Sequence, residues 1–131
     1  MIKIKVEDLI HKYPDGTQAL NGVNIDVVEG EFLAILGANG SGKTTLLKHL
    51  NGLLKPASGS VVLDNKDLNE SKPGNVFRKV GMVFQDPNDQ LIAPTVEEDV
   101  AFGPTNLNLN YDEIISRVND ALELVKMKES A

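Results

Sequence analysis

The sequence predicts an α/β fold, and three observations carry that prediction. Two N-terminal segments alternate apolar and polar residues, the pattern of half-buried strands. A continuously apolar stretch, Phe32-Leu33-Ala34-Ile35-Leu36, enters a glycine-rich loop, and a leucine-bearing helix leaves it. Residues 111–127 repeat apolar side chains at helical spacing.

Taken in order, Ile2, Ile4 and Val6 alternate with Lys3, Lys5 and Glu7 and define a strand with one wet face. Tyr13-Pro14-Asp15-Gly16 carries turn residues. Val23, Ile25 and Val27 alternate with Asn24 and Asp26 in a second such strand, ended by Glu29-Gly30. Residues 32–36 lack alternation and read as a strand covered on both faces, as in a parallel sheet. Leu46, Leu47 and Leu50 then mark a helix that Asn51-Gly52 should stop. Val61-Val62-Leu63 predicts a further strand, Lys72-Pro73-Gly74 a loop, and residues 80–84 another strand broken by Asp86-Pro87-Asn88-Asp89. Thr95 and Glu98 form a capping box for a short helix closed by Gly103-Pro104. In the last helix, Tyr111, Ile114, Ile115, Val118, Ala121, Leu122 and Val125 share one face, and Asn110 and Glu113 cap its start. That stripe reads first as core packing. Leu109 and Ile114 are placed for a hydrophobic staple, and Lys126 and Lys128 favour the carbonyl end.

Composition narrows the chemistry. The 131 residues suffice for one domain, and 41% hydrophobic with 24% charged residues argues against disorder. Thirteen Lys+Arg against 19 Asp+Glu leave a net charge of −6, a poor balance for a general nucleic-acid binder. Cysteine is absent, which excludes disulfides, thiol catalysis and Cys-based zinc sites. His11 and His49 are too few for a histidine-rich metal site and are expected to be ordinary surface or partly buried residues. No apolar run approaches the ~20 residues that span a bilayer, and the N-terminal alternation does not read as a secretory signal. A cytoplasmic chain that docks to a membrane partner fits these features.

The chemistry concentrates in Gly37-Ala38-Asn39-Gly40-Ser41-Gly42-Lys43-Thr44, which matches G-x-x-x-x-G-K-[ST] at every required position. A triphosphate is dense negative charge. Binding it calls for backbone N–H groups at close approach, which glycines permit, and for a helix N-terminus worth about half a positive charge. Lys43 adds a full charge for the outer phosphates. Thr44 offers a hydroxyl to Mg²⁺, and Thr45 stands one residue on for a further phosphate contact. The net charge of the chain does not oppose this, because distant charges are screened over roughly 8 Å.

Four features then stand in a family's order: Tyr13 after the first strand, the phosphate loop, Val83-Phe84-Gln85-Asp86-Pro87, and Thr95-Val96-Glu97-Glu98-Asp99-Val100-Ala101-Phe102-Gly103. Together they resemble the nucleotide-binding subunit of ABC transporters. More narrowly, Phe84-Gln85-Asp86-Pro87-Asn88-Asp89-Gln90-Leu91 resembles the ATPase of energy-coupling-factor importers of cobalt, nickel or vitamins. The resemblance implies the P-loop NTPase (ABC ATPase) fold, with an antiparallel β subdomain beside a P-loop core. It implies ATP and Mg²⁺ as cofactors, with Gly37, Ala38, Asn39, Gly40, Ser41, Gly42, Lys43, Thr44 and Thr45 at the phosphates. Tyr13 would stack on adenine. Lys43 and Gln85 would be the catalytic residues, Gln85 positioning water and, with Thr44, serving Mg²⁺. The implied partners are a second ATPase subunit, a transmembrane coupling subunit facing residues 86–104, and a membrane subunit that selects the cargo, with no nucleic acid. The implied location is peripheral, on the cytoplasmic face of the membrane. The carboxylates at 97–99 also fit a solvated first helical turn.

Residues 1–131 match the first half of that family's domain. No Leu-Ser-Gly-Gly-type signature, no apolar run ending in Asp-Glu after Gln85 and no switch histidine is present in them. The expectation is therefore a partial domain, truncated before the signature, that binds nucleotide and turns it over negligibly by itself. Residues 33–36 and 80–84 should then expose apolar faces and favour aggregation. The alternative is a nucleotide-binding fragment with no hydrolytic or transport role. A small-molecule kinase fits less well, because 36 residues with two strands precede Gly37. A DNA-maintenance ATPase conflicts with the acidic balance and with the run after Gln85.

Overall fold

The computed structural model describes residues 1–130, which form two compact units, Met1–Met82 and a second from Val83 onward. The first holds a four-stranded sheet ordered β2-β1-β3-β4, with every pairing antiparallel. Its strands are β1 (Ile2–Lys12), β2 (Gln18–Val28), β3 (Ser58–Leu63) and β4 (Lys66–Asp67), with helix α1 (Lys43–Leu50) between β2 and β3. A short helix, α2 (Pro73–Phe77), follows. The second unit contains α3 (Val96–Asn106) and α4 (Tyr111–Leu124).

β1 and β2 form the hairpin that the alternation predicts, but β1 runs well past Glu7. The reason is a bulge. The register shifts between Val6 and Leu9, and Asp8 takes a left-handed φ of 45°. That extra residue restores the inward phase, so Val6, Leu9 and His11 all face the interior although Glu7 and Asp8 face solvent. Asn24 on β2 holds the bulge: its side chain accepts the Asp8 amide at 2.9 Å and donates to the Asp8 carboxylate at 3.0 Å. β3 approaches from the other side at Gly59, where a Cβ would collide with the Glu7 and Asp8 carbonyls. Val6, Leu9, Leu20, Leu46 and Val61 form the core of this unit, and Ile4, Val23, Ile25, Ile35, Leu50 and Leu68 pack around it.

Four local expectations are corrected. Residues 32–36 and 80–84 join no sheet among the described residues. A strand of the doubly covered kind needs a hydrogen-bonding neighbour and helices on its faces. Lacking a neighbour, Phe32 is 96% exposed, Leu36 91% and Val83 88%. Only Ile35 reaches the core. Their exposed apolar faces agree with the expectation drawn from the partial domain. The predicted loop at Lys72-Pro73-Gly74 opens α2, since proline is preset for the first helical position, where its missing N–H costs nothing. Gly103-Pro104 does not close α3, which continues to Asn106. An interior proline removes one ladder bond, but the Thr105 hydroxyl donates to the Ala101 carbonyl at 2.7 Å and the Leu107 amide closes the last turn. α4 ends at Leu124, not 127, and Lys126 lies beyond it at φ 59°. Val118 and Leu122 are buried, whereas Tyr111, Ala121 and Val125 of the same stripe are exposed. Asn110 caps α4 through the Glu113 amide at 2.9 Å, as predicted.

The two histidines are also corrected. Both are buried, His49 to 1% exposure, with ring centroids 4.8 Å apart and nearly edge-on. The β1 bulge turns His11 inward, and α1 turns His49 onto the sheet. Burial, with His11 adjacent, lowers the His49 pKa from 6.5 to about 4. A buried neutral histidine that ionises readily once unfolded lowers stability as pH falls from 6.5 towards 4. The urea midpoint of the wild type should drop across this window, and that of His49→Phe should stay flatter. Leu9, with 0% exposure, should cost about 2–5 kcal/mol on truncation to alanine, read as a lowered urea midpoint with unchanged slope.

Candidate functional site

Residues 37–42 connect the apolar segment to α1, and the local chemistry of that helix start differs from those of α3 and α4. α3 begins with Thr95 as cap and Glu97, Glu98 and Asp99 in its first turn; α4 begins with Asn110 and Asp112, Glu113. α1 begins with Gly42, has no side-chain cap and no acidic residue in its first turn. Its positive end therefore remains uncompensated by its own side chains, which is what an anion site requires.

Gly42 is required by space as well as by conformation. Its φ of 95° is left-handed, and a Cβ there would stand 2.5 Å from the Ala19 carbonyl oxygen and 3.1 Å from a Leu20 methyl. β2 thus clamps the end of the loop against the sheet. At its beginning, a Cβ on Gly37 would meet the Ser41 hydroxyl at 2.7 Å. The Lys43 ammonium folds back over the loop and donates to the Gly37 carbonyl at 2.6 Å, the Ala38 carbonyl at 2.7 Å and the Ser41 hydroxyl at 3.3 Å. These contacts anchor the lysine charge inside the loop. Asn39, Gly40 and Thr44 are exposed beside it.

Thr45 stands apart from its neighbours. It is 7% exposed, and its hydroxyl lies 2.9 Å from the Tyr13 hydroxyl. The Thr45 side chain is thus engaged by Tyr13 rather than exposed beside the loop. Tyr13 closes the β1–β2 hairpin: its amide donates to the Thr17 carbonyl and its carbonyl accepts the Gly16 amide, both at 2.9 Å. Its ring meets His11 edge-on, with centroids 4.6 Å apart. The structure thus brings Tyr13, Thr45 and the phosphate loop together on the sheet and α1 of one unit.

Gln85 belongs to the second unit. Its side chain is exposed, and the backbone on either side is pinned. The Phe84 amide donates to the Gln90 side chain at 3.1 Å, and the Asp86 carboxylate caps the turn Pro87–Asp89 through the Asn88 amide at 2.9 Å. Gln90 is a positioning contact that sequence reasoning missed. So is Asp99, which accepts the Ile92 and Ala93 amides at 2.9 and 3.0 Å. Those bonds hold its carboxyl below the usual range and give one of the three acidic residues at 97–99 a definite structural task. Among the described residues, no group of three or more His, Cys, Asp or Glu side chains converges as a metal site.

Comparison with known proteins follows this geometry. The model of a family described as ABC transporter matches residues 20–131. The chain is 53% identical to the energy-coupling factor transporter ATP-binding protein EcfA of Methanococcus maripaludis, across 98% of this chain and 47% of that protein. Among solved structures it resembles cbiO1 of Clostridium perfringens, described as part of the ABC transporter complex cbiONQ. The TM-score is 0.82 at 44% identity, over 98% of this chain and 52% of that one. It also resembles the ATP-binding cassette MJ0796, a dimeric post-hydrolysis structure bound to ADP and Pi. There the TM-score is 0.78 at 31% identity, over 94% and 57% of the two chains. The chain spans about half the length of the curated relatives it matches.

Gly42→Ala should push α1 off β2 and lower both the urea midpoint and the affinity for inorganic tripolyphosphate. Tyr13→Phe removes only the hydroxyl contact to Thr45 and should cost about 1 kcal/mol of stability.

Proposed function

The chain belongs to the ABC transporter family, and from that premise we propose that it is the nucleotide-binding part of an energy-coupling-factor importer ATPase. The observation that carries this is the phosphate loop itself. An uncapped helix start is clamped by β2 at Gly42, and the Lys43 ammonium is held inside the loop by two carbonyls and a hydroxyl. Likeness to EcfA and to cbiO1 supports the narrower assignment. The class of cargo proposed with it, from the family resemblance, is cobalt, nickel or a vitamin.

The residues present fit MgATP. The loop amides and the first turn of α1 receive the phosphates, and Lys43 neutralises the outer ones once it exchanges its carbonyl partners for phosphate oxygens. Such an exchange pairs the cation with an anion and leaves the Gly37 and Ala38 carbonyls to solvent. Thr44, exposed at the first turn, is the hydroxyl that would hold Mg²⁺, and the family resemblance proposes Gln85 for the same ion. When bound, the ion would neutralise phosphate charge. Tyr13 presents a ring to adenine. Gln85, exposed between two pinned backbone positions of the second unit, is the residue that the family resemblance proposes for orienting water.

The resembled family also places an Asp-Glu pair after an apolar run beside the attacking water, and residues 1–131 contain no such pair after Gln85. Transport-coupled hydrolysis belongs, on this proposal, to a full domain paired with a second ATPase subunit. The assembly would sit on the cytoplasmic face of a membrane against a transmembrane coupling subunit and a substrate-binding subunit. Among the described residues no helix is long and apolar enough to cross a membrane.

Calorimetry should find Lys43-dependent binding of MgATP to residues 1–131, weakened about tenfold or more in Lys43→Ala, the loss of one charge-assisted contact. Phosphate release by the same residues should not exceed the Lys43→Ala background. Absence of any nucleotide heat from well-folded protein would overturn the assignment, and Lys43-dependent release would overturn the division of labour.

A further inference from the structure

The buried His11–His49 pair is left unused by the proposed function, and it lies directly against the residue proposed to meet the base. His11 touches Tyr13 edge-on at 4.6 Å, and His49 touches His11 at 4.8 Å. Edge-to-face contacts join a ring's positive rim to its neighbour's negative face, so each ring fixes the tilt of the next. His49 and Thr45 stand four residues apart on α1 and so on one face of it. α1 therefore holds Tyr13 at two points, through the Thr45 hydroxyl and through His49 by way of His11. The same helix begins at the phosphate loop. Core stability alone does not call for imidazoles here. Among the described residues neither ring nitrogen of His11 has a hydrogen-bond partner, and the His49 ring has the Leu54 backbone beside it, so apolar side chains could fill the space with less penalty.

We infer that His11 and His49 are positioning residues for base recognition, setting the tilt and height of the Tyr13 ring relative to the phosphate loop. The inference rests on the assignment of Tyr13 as the stacking residue and adds what determines its geometry. Tyr13 is tied to the hairpin turn through its backbone alone, so the ring direction is decided by its hydroxyl and by the histidine stack. Loosening the stack should release the base while leaving the phosphate grip, which depends on Gly42, Lys43 and the loop amides, as it was.

The test compares MgATP with magnesium tripolyphosphate, which has the same phosphates and no base, by calorimetry on the full chain. Tyr13→Ala should weaken MgATP about tenfold and leave tripolyphosphate unchanged, the usual worth of one stacked base. His11→Ala and His49→Ala should reproduce most of that loss, again for MgATP alone. His11→Phe, which keeps an aromatic ring beside Tyr13, should restore wild-type discrimination. Unchanged tripolyphosphate affinity in each variant reports that the loop still folds. If Tyr13→Ala removes the preference for MgATP while His11→Ala and His49→Ala keep it, the inference fails and the stacking role of Tyr13 survives. If Tyr13→Ala keeps the preference, both fail. Equal loss of the two ligands in the histidine variants would reduce the pair to a structural role and also overturn the inference.

Discussion

Much of the first unit depends on the contact between Gly42 and β2. A polyphosphate site needs a helix start whose amides are not satisfied by its own side chains, and such a start is unstable unless something else holds it. Here the Ala19 carbonyl and the Leu20 side chain approach so closely that only glycine fits. Leu46, one turn into α1, is buried in the same core as Leu20. The hydrophobic contact supports the helix from its side, which frees its positive end for an anion.

The β1 bulge is the second determinant. Strict alternation carried past Glu7 would aim Asp8 and Ile10 inward and leave Leu9 and His11 in water. One extra residue at Asp8 reverses this, and the Asn24 side chain and the close approach of Gly59 stabilise it. The consequence propagates through the hairpin. Leu9 enters the core, His11 meets His49, and Tyr13 arrives at the turn within hydrogen-bond reach of Thr45. A defect in a ladder some residues away thus decides where an aromatic ring stands relative to a phosphate loop.

The second unit shows a different economy. Its helices are capped by their own sequences, at Thr95 and Asn110, and their first turns carry carboxylates suited to the positive end. Between Phe84 and Thr95 the chain is irregular, yet it is held by side chains that return to backbone amides: Gln90 to Phe84, Asp86 to Asn88, Asp99 to Ile92 and Ala93. Such bonds fix a loop without a core, and they leave Leu91, Ile92 and Phe102 exposed.

The glycine-rich loop leading into α1, the two caps, the hairpin turn and the strand alternation of β2 were legible in the sequence, because each is a local pattern whose physics lies within a few residues. The resemblance to ABC ATPases was legible for the same reason, being carried by short runs such as Gly37-Ala38-Asn39-Gly40-Ser41-Gly42-Lys43-Thr44 and Phe84-Gln85-Asp86-Pro87. What the tertiary structure alone decided involves partners distant in the chain. Residues 32–36 and 80–84 have strand composition, but a strand is made by a neighbour, and none pairs with them among the described residues. Burial of His11 and His49 follows from a bulge that alternation cannot anticipate. The Tyr13–Thr45 bond joins residues 32 apart, and a one-dimensional pattern carries no information about a contact that only folding brings within 2.9 Å.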